Sequence, residues 1–166
     1  ASALVPLLRG HRSCSSSSCG RAVQPLILSK NEIVDFPNEI QSLVCLEKLE
    51  LNQNQIRVIP EGVFSHLSRL KHLRLNNNRL GALPRDLAAC HNSLQYLNIS
   101  NNLFRTFPQP VLQLARLQEL HVQNNLFPVQ VRTISIGPRS LTLPLFADHS
   151  SIKPLYLSSP YQSPLF

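Results

Sequence analysis

Six histidines, nine carboxylates and four cysteines are the side chains of this sequence with chemistry to offer. Nucleophilic catalysis needs a hydroxyl, thiol or amine within hydrogen-bond reach of a base. A zinc site needs Cys and His at short, regular spacings. Neither pattern is present. There is no G-x-S-x-G elbow, no G-x-G-x-x-G, no P-loop and no H-E-x-x-H. Cys14 and Cys19 form C-S-S-S-S-C in a Ser-rich stretch, with no second Cys or His pair at zinc spacing, and read as an unstructured thiol pair. Cys45 and Cys90 fall at apolar positions and read as free, buried thiols acting as small hydrophobes, a usage that suits a reducing compartment. No catalytic residue, metal site or cofactor is expected.

The elements that must carry any function are set by leucine and asparagine. Aligned on Asn, the chain divides into segments 23–45, 46–69, 70–93, 94–116 and a partial 117–127, whose starts lie 23, 24, 24 and 23 residues apart. They share the pattern L-x-x-L-x-L-x-x-N-x-L. The L-x-L step alternates, so it predicts a short strand with one buried face. The inward pairs are Leu26/Leu28, Leu49/Leu51, Leu73/Leu75, Leu97/Ile99 and Leu120/Val122. No single segment can bury its own leucines, each worth about 1.5–3 kcal/mol when covered, so only a stack is stable. The column Asn31, Asn54, Asn78, Asn102 and Asn125 reads as structural: a buried amide must satisfy both its acceptor and its donors, and one per turn bonding the bends above and below does so. Past each of the first four asparagines an apolar residue precedes Pro: Phe36-Pro37, Ile59-Pro60, Leu83-Pro84 and Phe107-Pro108. The anchors Ile40/Leu43, Phe64/Leu67, Leu87/Cys90 and Val111/Leu114 follow at helical or 3-10 spacing. Turns bulkier than strands must curve the stack, with the strands inside.

On these motifs, residues 23–127 resemble intracellular leucine-rich-repeat proteins whose 23-residue units carry L-P after the Asn, such as plant Ras-group and animal Ras-pathway scaffold repeats. The resemblance implies an α/β leucine-rich-repeat solenoid: a short right-handed horseshoe arc, with parallel strands on the concave face and short helices or 3-10 turns on the convex one. It also implies a non-enzymatic scaffold that binds proteins in intracellular signalling; the lack of cysteine-rich caps and of an export signal leads to the expectation of a cytoplasmic location.

The residues flanking each inward leucine point out of the concave face and form columns. One runs Pro25, Lys48, His72, Tyr96, Glu119; the next runs Ile27, Glu50, Arg74, Asn98, His121; a third runs Ser29, Asn52, Asn76, Ser100, Gln123. Interface energy concentrates in aromatic residues and Arg. The candidate protein-binding residues are therefore Lys48, Glu50, His72, Arg74, Tyr96, Asn98, Glu119 and His121, with Arg74, Tyr96 and His121 the expected hot spots. Strands lie about 4.8 Å apart, so Glu50 and Arg74 are expected to pair. The sequon Asn98-Ile99-Ser100 lies on this face and reads as coincidental.

The formal charge of +7 invites a nucleic-acid reading, but its distribution argues against one. Residues 23–127 hold ten Lys+Arg against eight Asp+Glu, so most of the excess is spread thinly over the flanks rather than clustered on one face. No apolar run approaches the ~20 residues of a membrane span. One or more protein partners, no nucleic acid and a monomer are expected. Residues 1–22 and the Pro- and Ser-rich 128–166 lack the repeat and read as weakly ordered. The tail either covers the open end of the last repeat or replaces lost repeats and caps nothing; the second is favoured. The start at Ala1 reads as that of a fragment. Alternatives to the scaffold are a substrate-recruiting subunit of a ubiquitin ligase and a nonfunctional truncated fragment.

Overall fold

Alternation dictates the strands. In Lys48-Leu49-Glu50 and its counterparts the central residue is buried while both neighbours stay half-exposed. The computed structural model describes residues 25–127 throughout and the backbone of 133–136, 139–142 and 155–156. The strands are β1 (Leu26–Ile27), β2 (Lys48–Glu50), β3 (His72–Arg74), β4 (Tyr96–Asn98) and β5 (Glu119–His121), all paired in parallel and in chain order. Leucine sits beside leucine across the sheet: Leu26↔Leu49, Leu49↔Leu73, Leu73↔Leu97, Leu97↔Leu120. The backbone ladder runs on past the strands, as in Leu51 N–H donating to Arg74 O at 2.9 Å and Gln53 N–H to Asn76 O at 3.0 Å.

The core lies between this sheet and the returning turns. Leu49, Leu73, Leu97 and Leu120 are fully buried, and so are Phe64, Leu87 and Val111 opposite them. Pro sets the turns. With φ fixed near −65° it enters extended, and its carbonyl accepts from the residue three on: Ile40 N–H to Pro37 O, Leu87 N–H to Pro84 O and Val111 N–H to Pro108 O, each at 3.2 Å. These start the 3-10 helices η1 (Asn38–Ser42), η2 (Arg85–Cys90) and η3 (Gln109–Gln113). The second repeat has no 3-10 helix. Gly62 takes φ +93° there, and the turn is instead held by the Asp86 carboxylate of the next repeat, whose Oδ2 accepts from Phe64 N–H at 2.7 Å. Among the described residues no helix is long and apolar enough to cross a membrane.

The asparagine column is the second fastener. Asn78 Nδ2 donates to Leu75 O of its own repeat at 3.0 Å and to Leu51 O of the previous one at 2.9 Å. Its Oδ1 accepts from Ile56 N–H at 3.2 Å. Asn54, Asn102 and Asn125 repeat this pattern, and all four are buried. Asn31 departs from the expected burial. It is exposed, although its Nδ2 still donates to Leu28 O and Ser29 O, because it stands at the outer end of the described array. The residue before each ladder asparagine is left-handed: Lys30, Gln53, Asn77, Asn101 and Asn124 have φ between 54° and 58°. Asn bears this conformation better than the long side chains do.

Two further expectations are corrected. Cys45 is not a free thiol; it is disulfide-bonded, to a partner outside the described residues. Cys90 alone fits the expectation of a buried free thiol, donating to Leu67 O at 3.3 Å, and burial pushes its pKa up to about 12. The C-terminal segment does not leave the sheet uncapped. Strand β8 (Leu155–Tyr156) pairs antiparallel with the edge of β5, in register Leu120↔Leu155. In a separate two-stranded sheet β6 (Thr133–Ile136) and β7 (Arg139–Thr142) form an antiparallel pair, with β6 against η3. An edge strand left open is a template for unwanted pairing, and this arrangement covers it. Cys14, Cys19 and the expected weakly ordered segment 1–22 lie outside the described residues.

Candidate functional site

The parallel register brings the predicted residues together on the outward face of the sheet. Lys48, His72, Tyr96 and Glu119 are consecutive partners in one column, and Glu50, Arg74, Asn98 and His121 in the next. All eight lie on four adjoining strands, and all are half-exposed. Their positions follow directly from period two along each strand and a register held by the buried leucines.

Tyr96 is the centre. The His72 ring stacks on it at 4.1 Å between centroids, only 4° from parallel, and the His121 ring lies at 5.3 Å on its other side. The Arg74 guanidinium sits 5.5 Å from the Tyr96 ring centroid, within cation–π range. Arg74 Nε–H donates to His72 Nε2 at 3.2 Å, so that nitrogen is an acceptor and the proton of a neutral ring resides on Nδ1. Burial, and then the charges of Arg74 and Lys48, lower the His72 pKa; Glu50 and Glu119 oppose this.

Charge is organised around Glu50. Its Oε1 takes Lys48 Nζ at 3.0 Å and stands 3.9 Å from Arg74 Nε, so the expected Glu50–Arg74 pair is present but is the looser of the two. At the other end His121 Nε2 meets Glu119 Oε1 at 2.6 Å on the same strand. Asn98 is held by its own strand: Oδ1 accepts from Ser100 N–H at 3.1 Å and Ser100 Oγ at 2.6 Å, while Nδ2 donates to the Tyr96 hydroxyl at 3.4 Å. In the folded chain this engages the side chain that the sequon would offer. The third column turns polar atoms inward: Asn52 Oδ1, Asn76 Oδ1 and Gln123 Oε1 are buried without a hydrogen-bond partner among the described residues.

Sequence reasoning named the polar residues of this face and passed over Ile27, which is 55% exposed beside Glu50. A β-branched apolar residue in an outward column was the available signal. Among the described residues no three His, Cys, Asp or Glu side chains are placed to hold a metal ion. The arrangement offers stacking surfaces, an oriented guanidinium and paired charges, which are the means of recognising a polypeptide.

A family model described as leucine rich repeat matches residues 45–104 and 69–127, together half of the chain. The chain belongs to the leucine-rich-repeat family. Solved structures agree. A leucine-rich-repeat protein of Leptospira interrogans shares 34% identity over 64% of this chain and 28% of its own, with a TM-score of 0.58. PEPR1–AtPEP1 shares 31% identity over 63% of this chain and 15% of its own, with a TM-score of 0.55. An internalin (inlF) of Listeria monocytogenes shares 28% identity over 70% of this chain and 31% of its own, with a TM-score of 0.57. The leucine-rich-repeat chain thus spans less than a third of the length of each. None of these structures is described as an enzyme, and no curated protein matches the sequence.

Proposed function

We propose that this leucine-rich-repeat chain is a binding module that holds another polypeptide across the concave face of its sheet. The observation that carries the reading is the ring cluster His72–Tyr96–His121 with Arg74 against it, standing on three adjoining strands. Aromatic rings and Arg that are fixed before binding lose little conformational entropy on association, which is how an interface hot spot forms. PEPR1–AtPEP1 is named for two components, which supports reading this fold as a holder of partners. The four apolar-Pro steps support kinship with L-P scaffolds.

The cysteine usage expected to suit a reducing compartment does not hold at Cys45, which is disulfide-bonded. A disulfide from a buried position favours an oxidising compartment, and we place the protein there. Thiols blocked at lysis, followed by non-reducing peptide mapping of the native protein, test this: a Cys45 peptide recovered alkylated overturns it.

A photo-crosslinking residue placed at Tyr96 or at Ala89, exposed on η2, tests the binding face. Adducts from position 96 and none from position 89 support the reading. Equal capture from both refutes it.

A further inference from the structure

Resting on the concave-face reading, we propose that Lys48 and Arg74 form a preset fork for a carboxylate side chain, so that the partner is a polypeptide segment bearing Asp or Glu opposite β2 and β3. Arg74 is fixed from behind: Nε is engaged by His72 Nε2 and faces Glu50, while its terminal nitrogens have no hydrogen-bond partner among the described residues. Its side chain remains 40% exposed. A guanidinium anchored through Nε presents its two terminal N–H edges as the planar pair that binds carboxylate bidentately. Lys48, 41% exposed, stands on the other side of Glu50.

Charge counting gives the sign of the ligand. Glu50, only 12% exposed, is one negative charge between two cations, so the trio carries a surplus of +1. The lowered pKa of His72 follows from burial and from this same local potential, and keeps the ring neutral as an acceptor for Arg74 rather than a rival cation. At the far end of the site β5 presents the Glu119 carboxylate, so an acidic segment is drawn to β2 and β3 rather than to β5. The Tyr96 ring, braced by His72, lies against the Arg74 guanidinium on the β4 side.

A random dodecapeptide display library panned against the full 166-residue chain tests the fork. The wild type is expected to enrich peptides with Asp or Glu at one fixed position. Converting that residue to its amide in the synthetic peptide should weaken binding about 10- to 100-fold, the worth of a charge-assisted bidentate pair. The same conversion should matter less than about twofold on Arg74→Gln, and Arg74→Lys, which keeps charge but loses planarity, should fall between. Arg69→Gln, the same charge change at an exposed residue off the sheet, should bind as wild type does. An unchanged melting curve for each variant shows that it is folded. Enrichment without acidic residues, or an equal amide penalty on wild type and Arg74→Gln, overturns the fork. If Tyr96→Ala loses peptides that Arg74→Gln retains, the concave-face reading stands and the fork alone fails. Peptides retained by both, or no enrichment at all, refute both.

Discussion

Replacing Asn78 by Ala tests what holds the repeats together. The asparagine makes three buried contacts: donations to Leu51 O and Leu75 O, and acceptance from Ile56 N–H. The two carbonyls each keep a second donor, Asn54 Nδ2 for Leu51 O and Asn102 Nδ2 for Leu75 O. Each therefore loses only an ordinary hydrogen bond, about 1 kcal/mol. Ile56 N–H loses its partner while buried, at about 1–3 kcal/mol. The sum is about 4 kcal/mol, a large share of the stability of a domain this size. Asn31→Ala, at the exposed end, should cost about 1 kcal/mol or less, because Leu28 O keeps Asn54 Nδ2. Asn78→Asp keeps the acceptor for Ile56 but sets an oxygen against two carbonyls at about 3 Å, so at neutral pH it should destabilise at least as much as Ala. Urea unfolding followed by far-UV circular dichroism gives the order. Equal losses at positions 31 and 78, or a loss under about 1 kcal/mol at position 78, would refute the ladder argument.

Three further outcomes are expected. Gln53→Asn relieves a left-handed backbone at φ 57° and should stabilise by about 0.5–1 kcal/mol, visible as a higher Tm, whereas Gln53→Val should lower it. The Cys90 thiol, held at about 12, should resist iodoacetamide at pH 8 and react only as the chain unfolds; its folded pKa is raised above 9.0, so its contribution to stability is complete below about pH 9 and is lost as pH climbs toward 12. His72 should titrate below 6.5 by NMR and move back toward it in Arg74→Gln; because its folded pKa is lowered, its contribution holds above about pH 6.5 and falls as the solution is acidified.

The strand face was legible because two constraints coincide. Period two along each strand decides which side chains point outward, and the leucine column decides which of them become neighbours, so Lys48–His72–Tyr96–Glu119 could be written down in advance. The one-residue difference between 23- and 24-residue repeats is absorbed in the turns and never reaches the register. What escaped depends on contacts without a period. Both cysteines fall at buried, apolar positions, so burial alone did not separate Cys45, two residues past the anchor Leu43 and bridged, from Cys90, itself an anchor and free. Asn31, exposed at the outer end of the described array, breaks the burial of its column, and the pairing of β8 rests on two residues, too few to leave a pattern. The Arg74–His72 bond was hidden too, because it depends on rotamers and on which ring nitrogen carries the proton.

Each ladder asparagine reaches toward the repeat behind it: Asn54 serves Leu28 and Ile33, Asn78 serves Leu51 and Ile56, Asn102 serves Leu75 and Leu80. The dependence is one-way and identical at every step. A tandem copy of residues 70–93 spliced in after Ser93 would inherit the same giver and the same receiver, and no neighbour would need revision. An insertion that is not a whole repeat of 23 or 24 residues must be taken up in a turn or it breaks the asparagine column. Such an array can grow or shrink only in whole units, so its reach along a partner is set by counting repeats, while the lettering of the outward columns is free to drift.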